Sequence, residues 1–139
     1  MDPSRPRPWL PAVLLVAVVY CIAGLAFGAL AARAGSQHVR VMWRLAAWAV
    51  SAAAFAAHLW HEHGRLQRSA RLAAFHTSLA VALGAFGLAV GATVHAVTAS
   101  PPQHFPALML VVWPVITAVL AFVVALAIAA GLTWLRRTA

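Results

Sequence analysis

Four apolar segments, each longer than the roughly 20 residues a helix needs to cross a ~30 Å hydrocarbon layer, fill most of this 139-residue chain. Short polar stretches separate them. A soluble core of this size cannot cover so much apolar surface, so lipid is the economical solvent. The chain is 64% hydrophobic and 9% charged, with mean hydropathy +0.88. Soluble domains average about 45–50% apolar and about 25% charged residues. In lipid every backbone polar group needs an internal partner, which leaves helices as the simplest solution here. The expected fold is therefore all-α, an integral membrane four-helix bundle running up-down-up-down. One domain, 1–139, carries spans at about 9–32, 40–60, 72–97 and 106–135.

The first span follows Arg5 and Arg7, as a cleaved signal peptide would. Its apolar run of about 24 residues exceeds the 7–15 of a signal core, so it reads as a retained helix. Pro11 suits its first turn. Pro101 and Pro102 mark a loop before the fourth span, and Pro114 predicts a kink within it. Cys21 is the only cysteine and lies in an apolar run, so it reads as a small buried hydrophobe.

All ten basic residues are arginines, set against two acids, Asp2 and Glu62. Arg5, Arg7, Arg65, Arg68, Arg71, Arg136 and Arg137 fall on one side of the bundle; Arg33, Arg40 and Arg44 fall on the other. The side richer in arginine is expected to be cytoplasmic, which places both termini there. The net charge of +8 thus belongs to helix ends and lipid phosphates and does not point to nucleic acid. An alanine- and arginine-rich chain without lysine reads as the product of a GC-rich bacterial genome, hence a bacterial inner (plasma) membrane.

Helical angles sort the faces further. His76, Ala80, Gly84, Gly87, Gly91 and His95 share an arc of about 100° on the third span. Arg40, Arg44, Ala47, Ser51, Ala54, His58 and His61 form a second stripe of about 100° on the second span. The two stripes are expected to face each other, because lipid penalises an exposed polar group. Two GxxxG sequences, Gly24 to Gly28 and Gly87 to Gly91, allow close backbone approach, within the chain or between copies.

Seven histidines are the one chemical signal. His58 and His76 lie on the two stripes, each roughly 5–8 Å inside the cytoplasmic interface at 1.5 Å per residue. Such a pair suits the axial ligation of one haem b. The alternative is a smaller metal held by His58, His76 and His61, the last one turn from His58. The bland alternative is a set of semi-polar residues closing helix ends. The run from His61 to Arg71 reads as a loop, which puts Glu62 outside the membrane and disfavours proton-coupled transport. Di-haem b-type cytochromes resemble the chain in architecture and histidine richness, but their ligand pattern does not lie on four positions here. With Asp2 and Glu62 far apart and no acid near the serines, the chain leans away from an enzyme. The expected role is a small membrane subunit, packed with lipid and other subunits in a larger assembly or a homo-oligomer, with capacity for one haem or metal at its cytoplasmic end. The runner-up is a stand-alone b-type cytochrome-like redox protein or a small transporter.

Overall fold

The computed structural model describes residues 9–98 and 108–138. Four helices account for nearly all of them: α1 (Leu10–Ala32), α2 (Gln37–Leu59), α3 (Ala70–Thr98) and α4 (Met109–Thr138). A six-residue π-helical turn, Trp60–Arg65, continues α2. The described residues contain no strand. All four helices are long and apolar enough to span a membrane. The expected start of the fourth span at 106, the loop with Pro101 and Pro102, and Asp2, Arg5 and Arg7 lie outside the described residues.

Local chemistry explains the boundaries. Pro11 sits in the first turn of α1, where its missing N–H has no helical partner to lose. Ser36 caps α2, its hydroxyl accepting from the Val39 N–H at 3.3 Å. Pro114 lies inside α4, where the Thr117 hydroxyl donates to the carbonyls of Trp113 at 2.9 Å and Pro114 at 3.0 Å.

The helices do not pack as the two stripes suggested. α1 packs against both α2 and α3, α4 packs against α3, and α2 touches α3 only sparingly. The glycine face of α3 meets α1 instead of α2. A Cβ added at Gly84 would lie 2.6 Å from Tyr20 Cβ and 3.1 Å from the Ala17 carbonyl oxygen; at Gly87 it would lie 2.8 Å from Cys21 Sγ, and at Gly91 2.8 Å from Leu25 Cδ2. Gly24 of α1 answers against Leu88. Each glycine lets side chains of the facing helix seat directly on its backbone, giving the dispersion contact that associates helices when lipid is as apolar as leucine.

The interior is accordingly lined with alanine. Among the described residues, only Val13 and Leu59 of the buried apolar side chains are larger. The bulky residues face outward, Trp48, Leu15 and Leu120 among them. Lipid removes the penalty that water would impose on such a surface.

Candidate functional site: a buried carboxylate

One end of the bundle gathers the start of α1, the end of α2 with its π turn, the start of α3 and the end of α4. There Leu59 packs against Ala73, Ala74 and Ala125, with Phe55, Phe122 and Leu126 around them. Into this apolar setting the chain places Glu62, which is 0% exposed and among the largest fully buried side chains.

The carboxylate meets two partners on one oxygen. Nδ1–H of His76 donates to Oε2 at 2.8 Å, and a guanidinium nitrogen of Arg68, Nη1, donates to the same oxygen at 3.3 Å. Arg68 Nη1 also lies 3.1 Å from His76 Nδ1. The three atoms form a closed triangle, and Nδ1 has a single in-plane position for a hydrogen bond. A proton on Nδ1 is donated to Oε2. A proton on Oε2 is donated to the one lone pair of Nδ1, and Arg68 keeps donating to Oε2. The same triangle accommodates both placements of one proton.

Two more buried polar atoms have no hydrogen-bond partner: Glu62 Oε1 and His58 Nε2. His58 and Glu62 are four residues apart, about one turn, and so share a face. Native structures leave few such atoms unsatisfied, and each asks for an explanation.

Each surrounding element has a part. The π turn lets α2 run on through Glu62, and such turns are enriched at functional sites. Its end is closed by Gln67 at φ 51°, a left-handed conformation that glycine or asparagine usually occupies. The turn it makes allows the Arg68 N–H to reach the Glu62 carbonyl at 3.2 Å. His63 is buried between two neighbours: Nδ1–H donates to the Arg68 carbonyl at 3.0 Å, and Thr133 Oγ1, whose hydroxyl donates to the Ala129 carbonyl at 2.8 Å, lies 3.2 Å from Nε2. Thr133 thereby ties α4 to the turn. Trp9 covers the His76 ring, its centroid 4.7 Å away and its plane within 10° of parallel.

This arrangement corrects the sequence reading. The stretch from His61 begins as helix, not loop, because continuing α2 buries Glu62 against Arg68 and His76. His61 is exposed while His63 is buried, so the two do not behave alike. His58 and His76 are both buried here, and the side chain that bonds His76 is Glu62. No group of three His, Cys, Asp or Glu side chains suited to a metal ion occurs among the described residues. Sequence reasoning missed Glu62, Arg68 and Thr133. The signal for Glu62 was its isolation: it is the one acid in the body of the chain, four residues after His58, with three arginines downstream and close by. His38 and His95, near the opposite helix ends, are exposed and take no part.

No known protein family, curated protein or solved structure matches this chain.

Proposed function

We propose that this chain is a small multi-pass protein of the bacterial inner membrane, both termini cytoplasmic, working as a subunit of a larger membrane assembly or of a homo-oligomer. Its working centre is the cluster of Glu62, His76, Arg68 and His58, which takes up and releases a proton as its partners move. The single observation that carries this reading is Glu62: a wholly buried carboxylate bonded through one oxygen, with the other left without a hydrogen-bond partner. Ionisable groups inside a membrane bundle are costly, and where they occur they mark ion or proton pathways more often than scaffolding. The arginine distribution and the meeting of alternate helix ends around Glu62 support the up-down order and the cytoplasmic placement.

The test is infrared difference spectroscopy of the purified protein in lipid nanodiscs, titrated with acid. A protonated-carboxyl stretch should appear on acidification and vanish in Glu62→Gln, which keeps the shape of the side chain. No carboxyl band over the range in which the protein stays folded would reduce the cluster to a static ion pair.

A second reading, a metal in place of the proton, draws on the same His58 nitrogen and on His76, whose Nδ1 is held by a carboxylate as metal-bound imidazoles are. Haem b is the bulkier version, and Leu59 against Ala73 and Ala74 keeps α2 and α3 in contact at that level. A smaller ion would need His61 to turn inward. Metal analysis and a Soret band on the purified protein decide both versions.

A further inference from the structure

At the end of the bundle away from Glu62, a groove of about 490 Å³ opens between α1 and α2. Its floor is Gly28, Ala31 and Ala32 of α1, its α2 wall carries Arg40 and Arg44, and Trp48 closes its deep end. We infer that this groove binds an anionic phospholipid, the phosphate at Arg40 and Arg44 and an acyl chain along the trough below them.

Three observations carry the assignment. First, the guanidiniums have no acidic partner. Arg40 donates only to Gln37 Oε1, at 3.4 Å. Arg44 makes no hydrogen bond or ion pair with any described residue. Nor does a described residue supply a carboxylate: Glu62, the one acid among them, is sealed in the opposite end. The membrane's own anion, the lipid phosphate, fits the two guanidiniums. Second, the groove has a lipid's polarity profile. From the start of α2 to Trp48 is about 16 Å at 1.5 Å per residue. Arg40 lies about 4 Å and Arg44 about 10 Å in from the helix start, and beyond them the walls are small or aromatic. A free phosphate would satisfy the arginines and leave this apolar trough empty. Third, the trough is open where it would need to be. A Cβ at Gly28 meets nothing within 4 Å, whereas one at Gly24 meets Leu88. Basic pockets between membrane helices recognise phospholipid head groups by this chemistry.

The experiment is lipid retention by native mass spectrometry of the full chain from mixed phosphatidylglycerol and phosphatidylcholine nanodiscs. Each cation beside an anionic lipid contributes about fivefold in affinity, so the pair gives about thirtyfold enrichment of phosphatidylglycerol. Arg40→Gln or Arg44→Gln should each lower it about fivefold, and the double variant should abolish it. Gly28→Leu, at a position with room for a side chain, should lose the bound lipid while melting like the parent in detergent. Inorganic phosphate at millimolar concentration should not compete. Equal retention of the two lipids, enrichment that survives the double variant, or displacement by free phosphate would overturn the assignment. So would a co-purifying protein whose carboxylates replace the lipid.

Discussion

At the residue scale the decisive fact is that Glu62 is wholly buried. Removing one partner of a buried ion pair strands the other charge, which costs about 3–5 kcal/mol, more than the pair itself contributes. Arg68→Ala should therefore lower the melting temperature in detergent strongly, and adding Glu62→Gln to it should restore part of the loss. A double variant as unstable as the sum of the singles would mean that Arg68 and Glu62 do not interact. Gln67 offers the opposite test. Its left-handed backbone costs a non-glycine residue roughly 1–2 kcal/mol, so Gln67→Gly should raise stability, measured by the same melt. No change, or a loss, would show that the Gln67 side chain offsets the strain. The sequence displayed the histidines but hid their neighbour. Glu62 looked like a loop residue because polar His61, Glu62, His63 and Gly64 break the apolar run. A π turn has no periodicity from which six residues could announce it.

At the scale of elements, the apolar spans made the helices legible, since length and hydropathy suffice to mark a membrane helix. Which helix faces which was not legible. A stripe of small residues says that something approaches closely, and α1 and α2 both offered such a face to α3. The choice fell to α1 because Gly24 and the small residues near it match the glycines of α3, whereas the stripe on α2 carries two arginines over much of its length. Gly84 is the least forgiving of these close points, since its added Cβ would press on the Ala17 backbone as well as on Tyr20 Cβ. Gly84→Ala should destabilise by about 1–3 kcal/mol, the usual cost of overpacking. Gly28→Ala should not. Equal melting temperatures for the two variants would place α3 against some other helix.

At the scale of the whole molecule, orientation follows from arginine counts alone, so it is the easiest expectation to test. A reporter after Ala139, or one near Gln67, should be cytoplasmic, and a tag between Ser100 and Gln103 should be periplasmic. Labelling of the Gln67 site by an impermeant external reagent in intact spheroplasts would invert the assignment. The outward-facing leucines, valines and tryptophans also leave ample surface for a second copy or another subunit. Mass photometry in nanodiscs should accordingly find more than one chain per particle, or a companion protein. A single chain alone would remove the assembly from the proposed function.

The placement of α1 between α2 and α3 has a consequence for biosynthesis. As the ribosome extends the chain, each new helix meets its principal partner already in the membrane: α2 finds α1, α3 finds α1, and α4 finds α3. The carboxylate of Glu62 is translated before several of the groups that enclose it. His76 arrives with α3, and Thr133, which fixes His63 and the turn, arrives only with α4. A nascent chain arrested near residue 100 should expose Glu62 to a water-soluble carbodiimide, and the finished protein should shield it. Sealing the carboxylate then waits on the arrival of α4.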